Sequence, residues 1–374
     1  MKNLSTATYN FFRKDQFRIC LFLLLVFLSI FSVYALKPHI DGGDSIEYVQ
    51  SIQVLRGEQT PNDFTPNRII TSLLGLKVIM FVEGFMGNLA FSWLIMNSIL
   101  YVAMGMFFYM LLAKILDNRR SAFLGTLFLV TNYATLVFGL HYLMDMGGWT
   151  FYVASLYFSF KYMESKEDKW LYIASVLVSV GGLVKEYSFV AYIVIFGLIV
   201  FTEWKNWSKM IKKVVLTGLI AFIPTLVLNI YVFSIFHYSY INWFSHQSIY
   251  HYNSRILEYI KSFGSLYNFG WFLFLGGLPI LFKRSKKIFQ DKTVLFIWLV
   301  ILSSSLVFVW PIVTRVLFIT MPGVVMVSSL FLRKIDKWWY AVVLLLILYV
   351  LSSYFMDAYI LDFVNIGVLA NYFH

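Results

Sequence analysis

The apolar positions of this chain come in long unbroken stretches rather than in alternating or every-third patterns. Residues 17–36, 214–236 and 338–355 each run for about 20 positions with almost no charge, the length a helix needs to cross a hydrocarbon core. Strands of a membrane barrel would be about 10 residues long and would alternate, so the pattern predicts helices. Counting every such stretch predicts eleven spans, at 17–36, 89–116, 121–141, 147–163, 170–185, 187–203, 214–236, 269–282, 293–311, 315–332 and 338–355. The expected fold is an all-α polytopic membrane protein: one transmembrane domain over residues 1–374, with no soluble domain. The first run is too long for a cleaved signal peptide, and no small-residue cleavage site follows it before Lys37-Pro38.

Composition agrees with the pattern. The chain is 60% hydrophobic, 20% aromatic and 13% charged, about half the charge of a soluble domain. Its single cysteine, Cys20, lies in the first apolar run, which excludes an internal disulfide and a cysteine-based metal site. A net charge of +11 could suggest a nucleic-acid partner, but the charge is sorted by side. With the N-terminus in the cytoplasm, 22 of the 30 basic residues fall inside and 8 outside, whereas the acids divide 8 and 11. The two faces then carry +14 and −3. That is the positive-inside signature of an integral membrane protein, so no nucleic-acid partner is expected.

One apolar segment does not fit this alternation. Residues 69–82 number 14, contain Lys77 and end at Glu83-Gly84. Counted as a span, they would put Arg119-Arg120 outside and invert every later loop. The segment is therefore expected to lie on the outer interface. The longest connections, 37–88 and 237–268, both fall outside, and function is expected at that face.

The first outer loop holds His39, Asp41, Asp44 and Glu47 within nine residues, with Tyr48 following. Asp44 and Glu47, three apart, read as a helix cap and capping box. Ile46, Val49, Ile52 and Leu55 then give an amphipathic helix ended by Gly57. Such close carboxylates could equally shift one another's pKa or bind a cation. Asp145 is an isolated acid between two apolar spans, either a turn residue or a functional charge. Lys185 and Glu186 sit at the tip of a tight hairpin after Gly181-Gly182, either as a snorkelling pair or as substrate contacts. Arg315 is the outer basic residue closest to the hydrocarbon, and its fork suits a phosphate; a plain interfacial anchor is the alternative. The second outer loop carries His246 and His251 among aromatics that read as an interfacial belt or as sugar-stacking surfaces.

Together these residues resemble a known family. Gly43-Asp44-Ser45-Ile46-Glu47-Tyr48, continuing through Leu55-Arg56-Gly57, is similar to the first outer loop of glycosyltransferases of the GT-C fold. The bacterial relatives of protein O-mannosyltransferases and of the lipid A aminoarabinose transferase are the nearest group. Thr65-Pro66-Asn67-Arg68 followed by residues 69–82 resembles the family's Pro/Arg segment and juxtamembrane helix. Leu143-Met144-Asp145, Gly182-Leu183-Val184-Lys185-Glu186, and Arg315 with Pro322 resemble later motifs. Two features depart from the family: no C-terminal soluble domain is expected, and its paired Asp-Glu is spread here over Asp41, Asp44 and Glu47.

The resemblance implies transfer of a sugar from a polyprenyl-phosphate donor to a lipid, glycan or protein acceptor, at the outer face of a bacterial plasma membrane. Under it, Asp44 is the base, and Asp41, Glu47 or Asp145 orients the acceptor or holds a divalent ion. Arg315, Lys185 and Arg68 hold the donor phosphate, while His39, Tyr48, Glu186, His246 and His251 are candidate substrate contacts. No cofactor beyond such an ion is implied. A lipid-linked sugar transporter would place its ionisable groups nearer the midplane. A polysaccharide polymerase or ligase would carry more basic outer loops, and a non-catalytic assembly partner is the third alternative.

Overall fold

A computed structural model describes residues 15–36, 43–245, 256–309 and 314–353. His39, Asp41, His246 and His251 lie outside the described residues. Within them there is no strand, and the elements are helices joined by short turns. In chain order the longer ones are α1 (Gln16–Leu36), α2 (Asp44–Arg56), α3 (Thr65–Met86), α4 (Leu89–Leu116), α5 (Arg119–Val130), α6 (Asp145–Ser165), α7 (Asp168–Gly182), α8 (Val190–Glu203), α9 (Trp207–Phe236), α10 (Ile256–Tyr267), α11 (Trp271–Ser285), α12 (Lys292–Ser304), α13 (Met321–Lys334) and α14 (residues 339–353).

Eight helices among the described residues are long and apolar enough to cross a membrane. Seven of them coincide with expected spans, and the eighth is α3. The stretches expected to span at 121–141, 147–163, 170–185 and 293–311 form shorter or more polar helices. The first of these is a 12-residue helix that stops at Thr131, where Asn132 turns its side chain to cap the Ala134 amide. The second, α6, buries Gly147, Gly148, Thr150, Ser155 and Ser159. Such a helix faces other helices, not lipid, so it packs through small and hydroxyl-bearing residues. The lipid-grade sequences belong to α1 and α9, which leave large apolar side chains such as Leu23, Phe27, Leu226 and Ile230 exposed.

Residues 69–82 are part of a longer helix than their apolar run predicts. α3 has 22 residues, starts at Pro66 in its first turn, and is bent at Ser72 (φ −148°, ψ 16°). Length alone therefore no longer argues against a crossing, but chain direction does. α1 and α4 are antiparallel: Asp15 at the start of α1 accepts from the Tyr109 hydroxyl near the end of α4 at 2.6 Å, and Val33 faces the same groove as Phe91. The chain thus leaves α1 and enters α4 at one end of the bundle. For α3 to cross, α2 would have to cross as well, and its 13 residues reach only about 20 Å.

α2 also differs in detail from expectation. Its N-cap is Gly43 (φ 82°), with no side-chain cap, so Asp44 and Glu47 do not form a capping box. Their carboxylates are engaged elsewhere, as described below. The helix does end at Gly57 in the left-handed conformation (φ 76°). Its buried face is Ser45, Tyr48, Ser51 and Ile52, while Ile46 is exposed. Tyr48 and Ile52 pack with Leu76 and Ile79 of α3, Trp93 of α4, and Leu143 and Met144, so this small core anchors α2 over the bundle end.

Candidate functional site

The site is assembled from five segments that meet at the α2–α3 end. The first turn of α2 supplies Asp44 and Glu47. The first turn of α3 supplies Arg68, whose approach is fixed by Asn62: its side chain accepts from the Thr65 amide at 2.9 Å and donates to Gln50 of α2 at 2.8 Å. Arg68 Nε donates to Glu47 at 2.7 Å, Nη2 donates to Asp44, and the guanidinium lies over the Tyr48 ring at 4.8 Å.

Arg315 arrives from the short helix Thr314–Leu317. Its Nη2 donates to the second oxygen of Asp44, and its Nη1 is 3.4 Å from Asp145 Oδ2. Asp44 is therefore a bridge, with one oxygen on each arginine. Burial alone would push its carboxyl up, but the charges of Arg315, Arg68 and Lys185 outweigh burial and hold it well below the usual carboxylate range.

Asp145 opens α6 and is fully buried. The loop before it is pinned by α4, since Asn97 donates to the carbonyls of His141 (2.6 Å) and Leu143 (3.1 Å), and Trp93 Nε1 donates to Leu143 at 3.1 Å. Lys185 and Glu186 are buried rather than standing at an exposed tip, which excludes the snorkelling alternative. Lys185 Nζ donates to the Tyr48 hydroxyl at 3.2 Å and is 3.5 Å from Glu186. The α7–α8 connection can sit this low because α6 presents bare backbone to it. A Cβ at Gly148 would come within 2.9 Å of Lys185 Cβ and 3.1 Å of Tyr187 Cβ.

The structure thus brings together Asp44, Glu47, Tyr48, Arg68, Asp145, Lys185, Glu186 and Arg315. Three cations face four carboxylates, a balance of −1. Among the four acids, side-chain exposure falls from 25% at Asp44 through 16% at Glu47 and 7% at Glu186 to 0% at Asp145. Asp44 is the most exposed of the four. Glu47 and Asp145 are paired with arginines, and among the described residues no group of three or more His, Cys, Asp or Glu could hold a metal ion.

Sequence reasoning did not foresee that Arg68 clamps both α2 acids, nor the part played by Asn97 and Trp93. An asparagine and a tryptophan in an apolar helix were the available signals, since each must find a partner when buried.

The family model for dolichyl-phosphate-mannose-protein mannosyltransferase matches residues 74–228, a stretch that includes Asp145, Lys185 and Glu186. No curated protein matches the chain in sequence. The crystal structure of ArnT from Cupriavidus metallidurans bound to undecaprenyl phosphate is similar with a TM-score of 0.61 at 13% identity, covering 87% of this chain. The chain spans 61% of that protein's length. The fold is that of GT-C membrane glycosyltransferases, and the resemblance read from the sequence motifs is borne out.

Proposed function

We propose, with the GT-C fold as premise, that the protein transfers a sugar from a polyprenyl-phosphate donor to an acceptor hydroxyl at the outer face of a bacterial plasma membrane. The observation that carries this reading is the bridge Arg68–Asp44–Arg315, backed by Lys185 and Asp145, at the one bundle end where α2 and α3 lie. A lipid phosphate leaving group needs fixed cations, and this cluster has three. The similar ArnT structure, which holds undecaprenyl phosphate, supports a donor of that class. The outer orientation rests on the sorting of basic residues toward the opposite end. On this reading α3 lies in the outer interface, with Phe81, Phe85 and Met86 exposed to the lipid.

Asp44 is the proposed base. Clamped by two arginines it is a weak one, and the donor changes that. Phosphate oxygens compete for Arg315 and Arg68, and each hydrogen bond that moves to the phosphate raises the basicity of Asp44 as the acceptor needs it. The acceptor hydroxyl gives its proton to Asp44 while its oxygen bonds to the anomeric carbon. The bond from that carbon to the phosphate oxygen breaks, and the electron pair leaves with the polyprenyl phosphate. Attack opposite the leaving group inverts the anomeric centre. Glu47 keeps Arg68 in place, and Asp145 does so for Arg315.

The test replaces Asp44 by Asn and measures turnover with a polyprenyl-phosphate sugar. A loss of about 10²- to 10⁴-fold is expected for a missing general base. Undiminished turnover in a folded variant contradicts the assignment.

A further inference from the structure

α3 is bent at Ser72, within one turn of Arg68. In an unbroken helix the Leu74 amide would donate to the Ile70 carbonyl, four residues back. Here each of these two groups has a partner outside the helix. The Leu74 N–H donates to the Leu183 carbonyl at 2.9 Å, and the Ile70 carbonyl accepts from the Tyr240 hydroxyl at 3.0 Å.

The two outside partners come from different segments. Leu183 lies two residues before Lys185, in the connection after α7. Tyr240 lies just beyond α9, where its amide is held by the Asn229 side chain at 3.0 Å. It packs with Ile69, Ile70, Leu183 and Tyr238 in a small apolar cluster beside Arg68. The local sequence favours such a break. Thr71 returns its hydroxyl to the Asn67 carbonyl at 2.8 Å, a contact that bends helices. Beyond the bend, Gly75 lets α3 approach Met144 and Val184, the neighbours of Asp145 and Lys185: a Cβ there would lie 2.8 Å from Met144 Sδ and 3.3 Å from Val184.

We infer that Tyr240 is a positioning residue that acts through Arg68. By taking the Ile70 carbonyl while Leu183 takes the Leu74 amide, it keeps α3 bent so that the first turn presents Arg68 to Asp44 and Glu47. Without the hydroxyl, the Leu74–Ile70 bond competes, α3 straightens, and Arg68 swings off the two acids. The segment that follows α9 thereby sets the geometry of a donor-binding arginine without touching the donor. This inference rests on the proposed role of Arg68 as a phosphate ligand.

Tyr240→Phe removes the hydroxyl and little else. The KM for a polyprenyl-phosphate sugar should rise about fivefold, the worth of one neutral hydrogen bond, with kcat within twofold. In an Arg68→Ala background the same change should add nothing to KM, because the residue it works through is gone. Effects that multiply across the two sites would overturn the inference. Arg68→Ala with an unchanged donor KM would instead overturn the reading of Arg68 as a ligand.

An activity-independent measurement then decides the coupling. Spin labels at Phe64→Cys and Phe91→Cys, both exposed, in a Cys20→Ser background, report the bend by their separation. A second distance population on Tyr240→Phe is expected. An unchanged distribution rejects the inference whatever the kinetics.

Discussion

Two clusters of buried charge sit at opposite ends of the bundle, and they are built differently. At the ends of α7 and α8 away from the site, Lys213 Nζ donates to Asp168 (2.6 Å), Glu203 (2.7 Å) and the Tyr162 hydroxyl (3.2 Å). An ammonium has three protons, so each is used. Tyr162 in turn lies 3.1 Å from the Thr202 hydroxyl. The cluster ties α6, α7, α8 and α9 together, and its ammonium has nothing left to offer a ligand. At the site end, each arginine commits two of its five donors to carboxylates, Asp44 is a quarter exposed, and Glu186 Oε2 is buried with no hydrogen-bond partner among the described residues. The same ingredients thus give a saturated latch at one end and an unsaturated, polarised site at the other. Buried charge left short of partners is costly to keep, and on the proposed function saturation is what separates the structural cluster from the working one.

The sharpest way to break this comparison is to remove the arginine that joins Asp44 and Asp145. Arg315→Ala should lower kcat/KM for the donor about 10³-fold, since it deletes a charge aimed at the leaving phosphate. Turnover within tenfold of the parent would make Arg315 a mere anchor.

At the other end, Lys213→Met leaves Asp168 and Glu203 without their cation. It should cost about 2–3 kcal/mol of unfolding free energy, somewhat less than a fully buried pair because Asp168 is 39% exposed. Donor KM and kcat should stay at parental values, as read by unfolding and turnover on the same preparation. A specific loss of donor affinity would erase the distinction between the two ends.

Gly148→Ala tests whether geometry matters as well as charge. Its Cβ must push Lys185 and Tyr187 by tenths of an ångström, which should lower kcat/KM about tenfold at a stability cost of about 1–3 kcal/mol.

The smallest effect concerns pH. The folded-state pKa of Asp44 is depressed, so its stabilising contribution is present above the unfolded value of about 3.9 and is lost only as pH falls through the lower folded value. The stability difference between parent and Asp44→Asn should therefore stay constant from pH 8 to pH 5. A difference that shrinks across that range would mean the arginines do not clamp Asp44.

How much of this was legible beforehand varies by residue. Lipid-facing helices such as α1 and α9 announce themselves by apolar run length, because the bilayer demands it. Interior helices such as α6 do not, because small and hydroxyl residues replace the apolar ones where helix meets helix. Asp145, Lys185 and Arg315 stood out as rare charges beside apolar spans, and the fold brings them together. Asp44 and Glu47, three residues apart, look like a capping box; only the tertiary position of Arg68, 21 residues beyond Glu47, turns both carboxylates away from their own helix. The bend at Ser72 and the role of Tyr240 leave no periodic trace at all, since they depend on hydrogen bonds between segments about 110 and 170 residues apart.

The central claim is that the unsaturated end binds a lipid phosphate and the saturated end does not. Equilibrium binding of undecaprenyl phosphate, with no sugar attached, to the parent, Arg315→Ala and Lys213→Met proteins tests it most directly. Affinity should fall at least about 100-fold in Arg315→Ala, as expected for a lost charge-assisted bidentate contact, and should be unchanged in Lys213→Met. Equal affinity in the parent and Arg315→Ala, or an equal loss in both variants, would contradict the account.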